Sequence, residues 1–276
     1  MTNTVEHVQN HYARGEIVES ILRALRVMGK DLAKLTPADL APVDAFHIRG
    51  RAATVELAKL ASLEPGLRVL DVGCGLGGSA RYLAAEYHCR VTGVDLTQEY
   101  VDAANALAEI VGLKDSVEFR QSSALEMPFA DGSFDVVWTE HVQMNIADKR
   151  AFYAETARVL APRGRLVFHD IFQGEGGALH FPVPWAEDDS INFLAAPDEA
   201  RRILEALGFS ILHWEDQSGE SLAWFEAANR KLKPSGPAPL GLQLLMGKTA
   251  KTKFENIIRN LREKRFVVVK AVAEKC

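Results

Sequence analysis

The chain has 276 residues, of which 47% are hydrophobic and 25% charged, a balance typical of a globular protein with a substantial core. Its formal net charge is −5, from 37 acidic and 32 basic residues. No apolar run approaches the roughly 20 residues that span a bilayer. The sequence also lacks the Lys/Arg clusters with interleaved aromatic residues that are typical of nucleic-acid binders. We therefore expect neither a membrane span nor a nucleic-acid partner.

The amino-terminal residues and the cysteines indicate the compartment. MTNTVEHVQNHYARGE has no basic segment followed by an apolar one, so we expect no secretory signal and a cytoplasmic location. The three cysteines, Cys74, Cys89 and Cys276, are too widely spaced for a disulfide framework or a zinc site, and reduced thiols are expected.

Helical patterns precede the first predicted strand. Apolar residues recur at helical intervals over residues 5–30, which predicts an amphipathic helix. Thr36, Pro37 and Asp39 form a typical helix start, with a hydroxyl cap, an early proline and an acid in the first turn. Another helix is predicted from Gly50 onwards. Residues 1–55 are therefore expected to form a helical cap.

From residue 64, short apolar runs alternate with helical patterns. LRVLDVG, CRVTGVDL, SVEFRQ, SFDVVWTE and RLVFHDIF are predicted strands, with helices between most of them. These strands lack strict alternation of apolar and polar residues, as expected for a parallel sheet covered on both faces. The pattern predicts an α/β domain over residues 56–276.

The last third of the chain interrupts that alternation. Residues 173–197 are rich in Gly, Pro and aromatic side chains, which predicts a long irregular insertion. Helices over residues 219–262, with a break at PSGPAPLG, separate the strand FSILHW from a final strand, RFVVVKAVAE. We expect the insertion and these helices to complete the cap.

The strongest local signal is VLDVGCGLGG at residues 69–78, where a strand passes through glycines into a helix. Glycine permits the unusual backbone angles of such a turn and lets a ligand approach the backbone. Asp95 ends the next predicted strand about 20 residues later, where a carboxylate can accept hydrogen bonds from two ribose hydroxyls. The pattern predicts a site for a nucleoside-containing cofactor.

Two cofactor classes fit the glycines. Gly73, Gly75 and Gly78 satisfy the GxGxxG spacing of nicotinamide dinucleotide sites. Asp71 and Gly77 extend the pattern to DxGxGxG, in a unit preceded by helices and closed by late strands. In this combination the chain resembles the class I S-adenosylmethionine (SAM) methyltransferases, strongly over residues 64–172 and loosely elsewhere.

The resemblance implies a doubly wound, Rossmann-like α/β fold with a seven-stranded, mostly parallel sheet whose last strand, RFVVVKAVAE, is antiparallel. SAM would lie across the carboxyl ends of the first two strands. The residues at the matching positions are Asp71, Gly73, Gly75 and Gly77 for the methionine part, Asp95 for the ribose and Leu96 for the adenine. Where the family commonly has an acidic residue for the adenine amino group, this chain has Ser123, so Ser123 or the backbone of Ala124 and Leu125 would take that role.

Three further segments point to a subgroup. HIRGRAAT at 47–54, TEHVQMNIADK at 139–149 and HFPVPWA at 180–186 are similar to small-molecule methyltransferases of the sarcosine/dimethylglycine and phosphoethanolamine type. The resemblance implies methyl transfer to N, O or C of a small-molecule acceptor. The departure at Ser123 leaves open a different reaction on this fold, such as cyclisation, dehalogenation or another group transfer. A nicotinamide oxidoreductase and a noncatalytic partner role are the remaining hypotheses.

His141 is the candidate catalytic base. It follows the fourth predicted strand, at the sheet edge where open α/β folds bind ligands. Histidine is the usual residue for removing a proton from a hydroxyl or amine near neutral pH. The alternative is a structural or cofactor-contacting histidine.

Candidate acceptor contacts come from four positions: Phe46, His47, Gln143 and Trp185. Gln143 either positions the acceptor or caps the following helix, as does Asn145. Trp185 lies among prolines in the insertion, which suits a lid whose aromatic face can hold an ammonium group. Core packing is the alternative for these aromatic residues. The histidines show no metal-ligand spacing, so no metal is expected. The sequence does not determine the oligomeric state, and a homodimer is possible.

Overall fold

A seven-stranded sheet runs through the structure, a computed structural model that describes residues 2–12, 16–230 and 238–276. The strands are β1 Arg68–Val72, β2 Arg90–Asp95, β3 Val117–Gln121, β4 Phe134–Glu140, β5 Leu160–Gln173, β6 Phe209–Asp216 and β7 Phe266–Lys275. Their order is β3-β2-β1-β4-β5-β7-β6. Only β7 runs against its neighbours, pairing antiparallel with β5 and β6. The predicted Rossmann-like sheet with a reversed last strand is confirmed.

Helices cover both faces of the sheet. In the described residues they are α1 Thr2–Tyr12, α2 Ile17–Val27, α3 Pro37–Asp44, α4 Arg51–Leu60, α5 Gly78–Tyr87, α6 Gln98–Ile110, α7 Lys149–Val159, α8 Pro197–Ala206, α9 Ser218–Arg230, α10 Gln243–Met246 and α11 Ala250–Arg262. In β1, Val69 packs with α4, α5 and α6, whereas Leu70 and Val72 pack with α7 and α8. Both faces are therefore buried, which explains the continuous apolar runs.

The amino-terminal part differs from its prediction in one respect. Two helices, α1 and α2, occupy the stretch where one was predicted, and residues 13–15 between them lie outside the described residues. The predicted start of α3 is confirmed, since Asp39 accepts hydrogen bonds from Thr36 N at 2.9 Å and Thr36 Oγ1 at 2.7 Å. Residues 234–237 of the predicted PSGPAPLG break also lie outside the described residues.

The insertion after β5 is irregular, as predicted, and α11 holds it in place. Asn256 donates from Nδ2 to Pro182 O at 2.9 Å, and Asn260 exchanges two hydrogen bonds with the backbone of His180, at 2.8 and 3.0 Å. Residues 256 and 260 are four apart and so share one helix face. This face of α11 fixes the segment that carries Trp185. No helix within the described ranges is both long and apolar enough to cross a membrane.

Candidate active site

The glycine turn joins β1 to α5. Gly73, Gly75 and Gly77 have φ angles of 70°, 52° and 77°, in the left-handed region that favours glycine. A Cβ at Gly73 would overlap the Val142 side chain, and one at Gly77 would overlap the Phe119 ring. Both the backbone angles and the close packing therefore require glycine here.

A cavity of about 680 Å³ opens at the carboxyl ends of β1, β2 and β4, above this turn. Its volume is typical of sites for small molecules and cofactors. The residues predicted for the site that line it are Phe46, His47, Asp71, Gly73, Gly75, Asp95, Leu96, Ser123, Ala124, Leu125, His141 and Trp185. Gly77 and Gln143 do not line it. The structure thus brings together predicted residues from six separate parts of the chain.

Asp95 braces the glycine turn. Its Oδ2 accepts a hydrogen bond from Gly75 N, and its Oδ1 accepts one from Thr97 N, both at 2.9 Å. Burial raises the pKa of this carboxyl, and the backbone hydrogen bonds from Thr97 and Gly75 oppose that effect. The Thr97 side chain and the Leu96 backbone also hydrogen-bond to this carboxyl, which lines the cavity.

Asp71 is a buried acid, and one of its carboxylate oxygens, Oδ2, lacks a hydrogen-bond donor among the described residues. Burial raises the pKa of this carboxyl well above its usual range, and the negative charges of Glu140 and Asp95 raise it further. A buried polar atom without a partner is costly, so a cationic donor in the cavity would stabilise the ionised form.

Ser123 lies at the rim of the cavity, beyond Asp95. Its Oγ accepts a hydrogen bond from Leu125 N at 3.2 Å, and its carbonyl accepts one from Glu126 N at 3.2 Å. Ser122 N donates to Asp95 O at 2.9 Å, which ties this turn to the end of β2. The Ser123 side chain is therefore part of a tight turn, with the backbone of Ala124 and Leu125 beside the cavity.

Glu140 is a functional candidate that the sequence reasoning missed. Its Oε2 accepts hydrogen bonds from Trp138 Nε1 at 2.9 Å and Ser79 Oγ at 2.5 Å. Thr54 Oγ1 lies 3.1 Å from both carboxylate oxygens, and His47 Nε2 lies 3.2 Å from Oε1. The available signal was a charged residue at the end of the otherwise apolar strand DVVWTE.

His141 lies on the cavity wall with its ring stacked on that of His169. The ring centroids are 5.2 Å apart, and His141 N donates to His169 O at 3.0 Å. Burial lowers the pKa of His141 well below its usual value, and His169 and His47 lower it further. Burial likewise lowers the pKa of His169. Both rings are therefore neutral near neutral pH.

Gln143 contacts the backbone of a neighbouring strand, whereas Asn145 lines the cavity and holds the insertion. Gln143 Nε2 donates to Ile171 O at 2.6 Å, away from the cavity. Asn145 Nδ2 donates to Trp185 O at 3.0 Å and Ile191 O at 2.8 Å, which fixes the insertion. Neither caps α7, because its N-cap is Asp148.

The amino-terminal cap is anchored to α5 by a buried ion pair. Arg81 Nη2 lies 2.7 Å from Asp44 Oδ2, and both side chains are almost fully buried. Arg81 Nη1 also donates to Leu76 O at 2.7 Å, next to the glycine turn. The pair thus couples α3 to the helix that begins at the turn.

The charged side chains in the described lining of the cavity are acidic. Its described lining contains no Lys or Arg, and its carboxylates are Asp44, Asp71, Asp95, Glu126, Glu140 and Asp148. Within the described ranges, no group of His, Cys, Asp or Glu side chains has the geometry to hold a metal ion. The cavity therefore favours a ligand with positive charge over one with phosphate groups.

Comparison with known proteins shows what this part of the chain is similar to. Residues 70–168, which contain the glycine turn, Asp95 and β4, match the family model for a methyltransferase domain. The chain is 48% identical over 99 residues to a probable chloroplastic tocopherol O-methyltransferase of Oryza sativa, across 36% of this chain and 27% of that protein.

Two further similar proteins have different acceptors in their names. The glycine/sarcosine/dimethylglycine N-methyltransferase of Actinopolyspora halophila is 30% identical over 162 residues, 59% of this chain and 29% of that protein. A geranyl diphosphate methyltransferase, solved with GPP and sinefungin, superposes with a TM-score of 0.72 over 99% of this chain and 100% of that one, at 21% identity. The matched regions span less than a third of the two curated relatives, and the structural match shows the shared fold.

Proposed function

We propose that this protein transfers the methyl group of SAM to a small-molecule acceptor. The observation that supports this most directly is the joint position of the glycine turn, Asp71 and Asp95 around one cavity at the carboxyl ends of β1 and β2. When bound, SAM supplies a methyl group on a positively charged sulfur, which an acceptor displaces in line. The protein's part is to bind, to orient and to exclude water.

The residues around the cavity fit SAM chemically. The amino acid part of SAM carries an ammonium group, which suits the carboxylate of Asp71 on the cavity wall. The carboxylate of Asp95 on the cavity wall suits the ribose hydroxyls, and Leu96 suits the adenine face. The carboxylates of the lining also stabilise the positive sulfur by charge.

The glycine turn itself argues against a nicotinamide dinucleotide. In dinucleotide sites the backbone N–H groups of such a turn bind the diphosphate. Here Gly73 N and Cys74 N donate to Val94 O at 2.8 and 3.0 Å, and Gly77 N donates to Cys74 O at 2.8 Å. Gly75 N donates to Asp95. These donors are already used, and no Lys or Arg in the described lining would replace them.

The acceptor is proposed to be a molecule without phosphate groups. Apolar and aromatic side chains line the part of the cavity under the cap, namely Val5, Val8, Phe46, Met144 and Trp185. The carboxylates of the lining would repel a phosphate. Helix α1 and the insertion cover this part, which keeps water away from the reacting atoms.

Binding and turnover test the proposed function separately. Isothermal titration calorimetry with SAM, S-adenosylhomocysteine and NAD⁺ is expected to show binding of the first two and none of the third. Incubation with SAM and a panel of amines, phenols and apolar alcohols is expected to give S-adenosylhomocysteine with at least one acceptor. Binding of NAD⁺ without binding of SAM would overturn the proposal.

A further inference from the structure

The environment of His47 fixes the position of its ring proton. Three oxygens surround Nε2: Gly50 O at 3.0 Å, Thr54 Oγ1 at 3.1 Å and Glu140 Oε1 at 3.2 Å. A backbone carbonyl and a carboxylate oxygen have no hydrogen to give. Nε2 must therefore carry the proton, and in the neutral ring the free lone pair is on Nδ1.

The lone pair of Nδ1 remains available on the cavity side. His47 lines the cavity, and no described residue hydrogen-bonds to its Nδ1. Nδ1 of His47 is not one of the fully buried side-chain atoms that lack a hydrogen-bond partner. Among the described residues, those atoms do include Nε2 of His141 and both ring nitrogens of His169. Of the three clustered histidines, His47 is the one whose ring proton is placed by hydrogen-bond partners among the described residues.

We propose that His47 removes the proton from the acceptor during methyl transfer, and that Glu140 is the positioning residue that holds His47 for this step. The inference rests on the proposed function. As the acceptor oxygen or nitrogen bonds to the methyl carbon, the carbon–sulfur bond breaks and its electron pair stays on sulfur. The acceptor proton passes to Nδ1 of His47, which later releases it to water.

The surroundings of Glu140 suit a fixed negative charge. Trp138, Ser79 and Thr54 supply hydrogen bonds to its carboxylate, and its side chain is only 4% exposed. An imidazolium formed at His47 would lie beside this carboxylate, so the charge created by proton transfer is compensated. The arrangement orients the ring and stabilises its charged form.

The turn that carries His47 is held independently. Gly50 has a φ of 53°, which lets its carbonyl point back to the ring. Arg49 next to it donates from Nη1 to Gln217 Oε1 at 2.6 Å and from Nη2 to Glu56 Oε1. The imidazole is therefore placed by anchors on α4 and β6–α9 before any ligand binds, which favours efficient proton transfer.

His141 is less suited to the same role. Its Nε2 is sealed from solvent without a partner among the described residues, and its ring is stacked on neutral His169. Because burial lowers the pKa of His141 well below its usual value, the ring is a weak base. His141 would serve as a wall of the cavity, in contrast to its expected role as base.

The first test needs neither SAM nor an acceptor. Nitrogen-15 NMR of the imidazole rings at high pH is expected to show His47 protonated at Nε2, with Nδ1 taking up the proton on acidification. His47→Gln identifies the signal. In Glu140→Gln the tautomer is expected to persist through Gly50. An Nδ1–H tautomer for His47 in the parent protein would contradict the proposed geometry.

The second test compares three histidine variants in the full-length protein. His47→Gln is expected to lower kcat about 100-fold or more, the range for loss of a general base, with SAM affinity within about threefold of the parent. The acidic limb of its pH–rate profile should vanish, and Glu140→Gln should shift that limb. His141→Gln is expected to keep the limb, and His213→Gln, outside the cavity, serves as the matched control.

The outcomes separate the two levels of the proposal. Normal SAM binding with an unchanged acidic limb in His47→Gln would overturn the role of His47 alone. Loss of the limb in His141→Gln would assign the proton to His141 instead. Failure of the parent protein to bind SAM would overturn the proposed function, whatever the NMR result. Because Gln can donate to Gly50 O as His47 does, unchanged circular dichroism is expected for His47→Gln; if it unfolds, His47→Asn is the second variant.

Discussion

Replacement of Asp95 by alanine is expected to weaken SAM binding by a large factor. Each carboxylate oxygen accepts one backbone hydrogen bond, at 2.9 Å, and in the proposed complex the carboxylate also accepts from the two ribose hydroxyls. A hydrogen bond to a charged group contributes about 1.5–3 kcal/mol. Losing two of them costs about 3–6 kcal/mol, which corresponds to a rise in Kd of about 10²–10⁴-fold.

Calorimetry with SAM and S-adenosylhomocysteine measures this change. Asp95→Asn is expected to lie between the parent and Asp95→Ala, because its amide nitrogen cannot accept a hydrogen bond. Asp102→Ala is a suitable control, since that carboxylate is exposed on α6 and accepts only from Gln98. A Kd for Asp95→Ala within about threefold of the parent, with the fold intact, would refute the assignment of the ribose to Asp95.

Three further results are expected. Arg81→Met leaves the buried carboxylate of Asp44 unpaired and should lower the free energy of unfolding in urea by about 3–5 kcal/mol; a loss below about 1 kcal/mol would contradict this. Burial raises the pKa of Asp170 to about 6 from its ordinary value of 3.8, so the folded state binds more protons between these values, and stability should fall by about 3 kcal/mol as pH rises through that window. Asp170→Asn should lack this decline, and an equal decline in both proteins would count against it. Geranyl diphosphate and phosphoethanolamine, with or without Mg²⁺, should yield no S-adenosylhomocysteine, because the described lining of the cavity has no Lys or Arg; turnover of either would show that charge does not select the acceptor.

The parts of the fold set by local pattern were predictable from the sequence. The alternation of apolar runs and helices gave the parallel sheet, and the glycines after β1 gave the turn above which the cavity lies. These features depend on residues within a few positions of one another. The reversed direction of β7 was predicted only through the family resemblance, since the direction of a strand depends on the chain that precedes it.

The parts that depend on long-range contacts were not predictable. Glu140 and Thr54 are 86 residues apart, and Asp44 and Arg81 are 37 residues apart. No local pattern relates such pairs. For the same reason Gln143 was predicted near the acceptor, whereas its side chain turns to Ile171 on the neighbouring strand.

A crystal structure of the protein with S-adenosylhomocysteine tests the central claim most directly. The account predicts density in the cavity above the glycine turn, with the ribose hydroxyls on Asp95 and the ammonium group within hydrogen-bonding distance of Asp71. Density for the ligand at another place, or an empty cavity at saturating ligand, would contradict it.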